Sequence, residues 1–553
     1  ISIALLEEVA YNAANLPPPR RVKGARTRPD QPKVVRDMSS DFTMNRRGFL
    51  KGAAALAALS ALAPAGALAD GESKPIVIGR AQDSDNLDPV TCVGNTNIFI
   101  FNLILEGLVM TSDDGSDIEL CLAESYDVSD DGLVYTFKVK EGLTFSDGSP
   151  VTAEDWQFTF DRAIQSEDSN WHMCVENLDH VECPDDTTVI VYMKSEAAST
   201  LANLCIFTLG VQSKAYFESV GADRYVDGPL GTGAYMIKEW KRGEYMAMTA
   251  NPNYREDGVP ATADIEFRVV ADDASRQIQL QGGDIDIAVD LPLSSLMQIE
   301  SDPNCVVAAL PSTITRFMSL NVENEYLAHD EARQALIKAT DPQEIVDVAL
   351  FGYGTAIGTI FAPTSKYCDH SLDPVEPDIE GAKALLAQAG LDGGFPITIL
   401  MRSGNEIDKQ IAMILTQQWA KIGVTVSIEE IEATSYKTRM YAMDFDAIID
   451  YWSDDIQDPS EFMQWIFDFD GASGFDTNFR QPDDMVALND ACNAETDDDK
   501  RVEMYHQMQQ TFREQAVWIP LFTMPWPNAT RADIVGFHQT PLGNFRFNEL
   551  ARA

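Results

Sequence analysis

The residues best placed to do chemistry stand together in Tyr451-Trp452-Ser453-Asp454-Asp455, where two aromatic rings and two carboxylates follow an apolar run. Rings of this kind present flat apolar faces with a polar edge, and paired carboxylates attract cations. Trp526 is a third ring that could line the same pocket, although tryptophan also serves as core. Arg402 follows another apolar run, and its planar fork suits a carboxylate; the alternative is a surface arginine. Asp455 too has a plainer alternative, a solvated loop acid, with Asp458 capping a helix that begins at Pro459. Reaction chemistry is not evident elsewhere. There is no Gly-x-Ser-x-Gly, no His-Glu-x-x-His and no Cys-x-x-Cys, and His172, His180, His329, His370, His506 and His538 are scattered. We therefore expect no catalytic residue, no metal site and no cofactor.

The elements that must carry these side chains are legible from periodicity. Residues 397–401, 424–428 and 445–451 read as strands, and 406–422 and 435–443 as helices, the first stopped by Gly423. Such a β-α-β-α-β succession predicts a largely parallel α/β sheet. Ligands of these sheets bind beyond the carboxyl ends of the strands, which is where Arg402 and residues 451–455 fall. Upstream, 134–139 alternates as a half-buried strand between Asp131-Gly132 and Asp147-Gly148. Thr152 and Asp155 then form a capping box ahead of a helix bearing Trp156, Phe160, Ala163 and Ile164. Residues 97–108 are predicted helical, as are 330–339 and the stretch after Asp341-Pro342. The run Gly228-Pro229-Leu230-Gly231-Thr232-Gly233 leads into a strand and lacks Gly-Lys-Ser/Thr, which argues against a phosphate loop.

The chain has 553 residues, 45% of them hydrophobic, enough for more than one lobe. Its 87 acidic against 41 basic residues, net −46, would repel nucleic-acid backbones and anionic lipid. The first 43 residues are Pro/Arg-rich and are expected to lie upstream of the true start at Met44. From there, Arg46-Arg47, the apolar run 53–62 and Ala67-Leu68-Ala69 have the order of a twin-arginine signal peptide with its cleavage site. No later segment is long and apolar enough to span a bilayer. All eight cysteines follow that site, in a compartment that permits disulfides, with Cys174 and Cys183 as the local candidate pair.

Residues 123–155, reading A-E-S-Y-x-V-S-x-D-G-x-x-Y-T-F-x-V-K-x-G-x-x-F-S-D-G-x-P-V-T-A-x-D, resemble the signature region of the extracytoplasmic solute-binding proteins of family 5. These serve peptide, nickel and opine ABC importers. Gly231-Thr232-Gly233-Ala234-Tyr235, Asn251-Pro252-Asn253-Tyr254 and Gly283-Asp284-Ile285-Asp286 are similar to further family motifs, with Ala234 where the family has proline. The resemblance implies a two-lobed α/β periplasmic binding protein of type II, a Venus flytrap, with lobe I at 70–316, lobe II at 317–522 and a return at 523–553. Lobe I would hold an inserted subdomain at about 100–225, and crossing segments would lie near Phe317 and Phe522. It also implies that Asp455, following Trp452 at the strand end, pairs with a ligand ammonium, since an ammonium buried without a counter-charge costs several kcal/mol. The expected ligand is a short peptide or related amine-bearing solute, and the expected partners are a permease and an ATPase, with the protein a periplasmic monomer. A nickel chelate, oligosaccharide or opine on the same fold, a sensory binding protein and an exported hydrolase are the alternatives.

Overall fold

The computed structural model of the chain describes residues 74–167, 169–374, 376–467 and 474–553. The expected leader, 44–69, and the stretch before it lie outside the described residues.

Two large sheets organise the rest. The first has seven strands, in the order Cys305–Leu310, Trp526–Arg531, Ile287–Ala288, Ile76–Arg80, Asp264–Val269, Tyr245–Ala250 and Tyr235–Lys241. Ile76–Arg80 lies parallel to both neighbours and is buried along its whole length, which is why it reads as a continuous rather than an alternating strand. The second has six strands, in the order Thr355–Ala356, Trp518–Thr523, Thr315–Leu320, Ala447–Trp452, Pro396–Arg402 and Thr425–Ile431. Here the structure corrects the expectation of a largely parallel sheet. Pro396–Arg402 runs parallel to Thr425–Ile431 and Ala447–Trp452, but Thr315–Leu320 is antiparallel to both of its neighbours. The β-α-β-α-β segment supplies only half of the strands; the others arrive from distant sequence, which no local pattern announces.

The chain passes between the sheets twice. Leu310 pairs with Trp526 at the edge of the first sheet, and Thr315 pairs with Thr523 at the start of the second. Residues 311–314 and 524–525 therefore run side by side. They are tied by Thr523 Oγ1 donating to the Ile314 carbonyl at 2.7 Å and by Ser312 Oγ donating to the Met524 carbonyl. Two short adjacent crossings of this kind form a hinge.

A four-stranded antiparallel sheet, Ala123–Val128, Val134–Val139, Thr188–Met193 and Leu178–Asp185, stands on the first lobe. Helix Ala153–Gln165 covers it and buries Trp156, Thr159, Phe160 and Ala163. The expected capping box is present: Asp155 Oδ2 accepts from the Thr152 amide at 2.9 Å and from its hydroxyl at 2.8 Å. Asp155 Oδ1 also takes the Lys214 amide at 2.9 Å, so this cap holds a loop as well as a helix.

Residues 97–108 do not form the single helix predicted. Asn95–Ile98 and Phe101–Ile104 are separate single turns, and the chain is extended at Leu105. The glycine run accounts for the break. The Gly233 amide donates to the Ile104 carbonyl at 2.8 Å, and a Cβ built on Gly231 would sit 2.0 Å from that oxygen. A neighbouring backbone thus takes an acceptor the helix would have used, and only glycine lets it approach so closely. Cys174 and Cys183 do not pair; all eight cysteines are free thiols. Cys174 is buried in the turn His172–Val175, whereas Cys183 lies half-buried on strand Leu178–Asp185.

Candidate functional site

Strand Ala447–Trp452 is buried through Ile449 and then emerges between the lobes. The Trp452 ring lies flat on Phe462, 4.5 Å between centroids at 12°, and takes the edge of Phe475 at 6.0 Å. Its Nε1 donates to Asp454 Oδ1 at 2.8 Å, and the Asp454 amide donates to Thr313 Oγ1 on the hinge at 3.1 Å. The next turn is held by Glu461, at the start of helix Ser460–Phe467. One of its oxygens accepts from the amides of Asp455 (3.0 Å) and Ile456 (3.2 Å). Ile456 in turn packs into the core of the first lobe. The loop therefore touches the hinge, the first lobe and its own helix, which fixes where its carboxylates stand.

Those carboxylates differ sharply in compensation. Asp458 accepts the Ser460 amide at 2.9 Å and is gripped at both oxygens by Arg501 (2.6 and 2.9 Å), a side chain only 2% exposed. By contrast, among the described residues no lysine or arginine is paired with Asp454, Asp455 or Glu461. Burial pushes the Asp454 carboxyl up to about 7, with Asp455 and Asp458 adding to the rise and the Trp452 hydrogen bond opposing it. Burial likewise raises Asp455 to about 7. Glu461 is driven well above the carboxylate range, first by burial and then by Asp455 and Asp454. Three acids are thus crowded into one turn with no lysine or arginine to neutralise them among the described residues.

In front of Asp454 lies a cavity of about 260 Å³ between the lobes. Trp452, Asp454 and Gln457 line it from the second lobe, Thr313 from the hinge, and Ser116 and Leu542 from the first lobe. A second cavity of about 230 Å³ opens on the other side of Leu542. It is walled mainly by the first lobe, with Asp455 reaching in from the second. The lobes also meet at the outer rim, where the Ala198 amide donates to the Asn493 carbonyl at 2.9 Å and Gln464 Nε2 donates to Glu176 at 2.7 Å.

The other residues singled out from sequence are placed differently. Tyr451 is 54% exposed, with the Arg316 guanidinium over its ring. As Trp452's neighbour on the strand, it points to the opposite face. Arg402 is exposed and lines neither cavity, because its strand pairs with Ala447–Trp452 from Ile399 onward and so ends about level with Asp450. Trp526 is 4% exposed and sits behind the cavity wall. There it donates Nε1 to the Pro541 carbonyl at 3.2 Å and packs against Phe99. Sequence reasoning missed Glu461, Thr313 and the loop at 540–544. Only Glu461 carried a signal, as an acid in the first turn of a helix.

No group of three or more His, Cys, Asp or Glu among the described residues is arranged to hold a metal, and no described helix is long and apolar enough to cross a membrane.

The family described as bacterial extracellular solute-binding proteins, family 5 middle, matches residues 117–474. The chain is 27% identical over 490 residues to a probable D,D-dipeptide-binding periplasmic protein, DdpA, of Escherichia coli K12, covering 86% of this chain and 93% of that protein. It is also 27% identical over 538 residues to heme-binding protein A of Haemophilus influenzae, covering 89% and 97%. Among solved structures, the periplasmic binding protein DppA of Helicobacter pylori, in complex with the peptide STSA, superposes with a TM-score of 0.73 at 25% identity, covering 87% of this chain and 98% of that one. These neighbours are two-lobed periplasmic binding proteins of type II, and this chain has the same fold.

Proposed function

The chain belongs to the bacterial extracellular solute-binding proteins of family 5, and from that premise we propose that it is the substrate-binding protein of an ABC importer, acting as a monomer in the periplasm. Its ligand is a short peptide or related amine-bearing solute, and the twin-arginine leader at 44–69 carries the protein to its compartment. Family members bind rather than transform their ligands, and binding is the role assigned here. The observation that supports the reading is the set of neighbouring acids Asp454, Asp455 and Glu461, with Asp454 and Asp455 lining the interlobe cavities and no lysine or arginine paired with any of the three among the described residues. A ligand ammonium would provide the missing charge. Contacts to both lobes would then favour the shut form, which a permease and its ATPase recognise.

The test is mass spectrometry of small molecules released by denaturing the purified protein and its Asp455→Asn variant. Amine-bearing ligands are expected from the wild type, reduced at least tenfold in the variant. Equal recovery from both would remove Asp455 from the site.

A further inference from the structure

The two cavities share a wall. Among the described residues Leu542 alone lines both, and it is 5% exposed. Its neighbours sort to either side: Pro541 lines the larger cavity, Thr540 and Asn544 the smaller. Across the cleft the same division falls between successive residues, with Asp454 on the larger cavity and Asp455 on the smaller. The boundary therefore runs along the Leu542 side chain of the first lobe and the 454–455 turn of the second. Both sides are held in place. The Pro541 carbonyl accepts from the Thr313 amide on the hinge at 3.1 Å and from Trp526 Nε1 at 3.2 Å. The Gly543 amide closes the turn onto the Thr540 carbonyl at 2.8 Å, and Gln539 Nε2 donates to the Gly543 carbonyl at 2.8 Å. Gly543 has a φ of 94°, and a Cβ there would lie 2.2 Å from the Phe99 ring, so this turn sits directly on the core. Opposite it, Glu461 fixes the amides of Asp455 and Ile456.

Resting on the reading of Asp455 as the ammonium site, we propose that Leu542 is a specificity-determining residue that limits ligand length: it confines the guest to the smaller chamber, so the solute is no larger than a dipeptide. The volumes carry the argument. Pockets that enclose a ligand usually run to roughly 300–1,000 Å³. At about 230 Å³ the smaller chamber lies below that range, and only by joining the larger one, about 260 Å³, would it enter it. A tetrapeptide with its ammonium at Asp455 must displace Leu542 or hold the lobes apart. The first overpacks a turn already tied to the hinge and the core, and the second gives up the contacts that favour the shut form.

The test is native mass spectrometry of the purified protein and of its Leu542→Ala, Leu542→Val and Asp455→Asn variants. Each is challenged with pools of random di-, tri-, tetra- and pentapeptides at equal total concentration. The wild type should retain dipeptides at least tenfold over tetrapeptides. Leu542→Ala keeps only the Cβ of the partition and should bring tetrapeptides to within about threefold of dipeptides. The proposal falls if the wild type retains dipeptides and tetrapeptides alike, if the tenfold preference survives in Leu542→Ala, or if no pool is retained. Should Leu542→Ala fail to fold, Leu542→Val decides: its ratio of tetrapeptide to dipeptide retention must rise at least threefold over the wild type. Asp455→Asn reports separately on the ammonium site and should lower every pool about tenfold without changing their order. Retention equal to the wild type in that variant would sink the role of Asp455 and leave the length preference to be judged by the Leu542 variants.

Discussion

Replacing Asp455 with Asn is expected to move stability and binding in opposite directions. Burial lifts this carboxyl from 3.8 to about 7 in the folded protein, a rise worth ~4 kcal/mol for a fully enclosed group at about 1.4 kcal/mol per pH unit. Asp455 is only half-buried and lines a cavity, so about half of that, ~2 kcal/mol, is expected. The sign follows from the folded value being the higher one. Between about pH 4 and pH 7 the native state keeps a proton that the unfolded chain has lost, so stability falls as pH rises through this window and stays low above it. Asn cannot ionise, and its presence also relieves Glu461, for which Asp455 is the second cause of elevation after burial. In urea denaturation followed by tryptophan fluorescence, the ligand-free variant should therefore match the wild type near pH 4.5 and exceed it by ~2 kcal/mol at pH 8. Calorimetric titration with a peptide ligand should meanwhile show affinity lower by roughly 30-fold, the same ~2 kcal/mol now lost from the ammonium contact. A variant no more stable than the wild type at pH 8, with an unchanged denaturant slope, would show that the charge at 455 is already compensated and would refute the reasoning.

The same elevation predicts that affinity of the wild type for a cationic ligand weakens about tenfold per pH unit as pH drops from about 7 to 5, since Asp454 or Asp455 must give up a proton first; titration at several pH values in one ionic strength checks this. Arg501→Met should destabilise the second lobe by about 3–5 kcal/mol, because it leaves Asp458 buried without its counter-charge, measurable as a lower urea midpoint. Gly231→Ala, whose Cβ would lie 2.0 Å from the Ile104 carbonyl oxygen, should cost about 2 kcal/mol or more, read as a lower melting temperature.

Much of the second lobe was legible because its signals are local. Helix 330–339 matches the predicted bounds, and the stop at Gly423 and the helix start at Asp341-Pro342 depend on residues within one turn of each other. The rim at 451–455 was legible as a place where rings and acids converge. Its details were less so. Strand alternation alone separates Tyr451 from Trp452, a rule of period two available from the sequence, whereas the level at which Arg402 stops depends on strand register.

What the linear order of residues settled is what neighbours settle: caps, turns, alternation, and the string of motifs by which the chain resembles its family. What only the folded chain decided is which charges cancel. Asp458 and Asp455 are three residues apart and chemically alike, yet one meets Arg501 from a helix 43 residues away while the other pairs with no lysine or arginine among the described residues. Charge compensation acts through space over a few ångströms, and spacing along the chain carries no record of it.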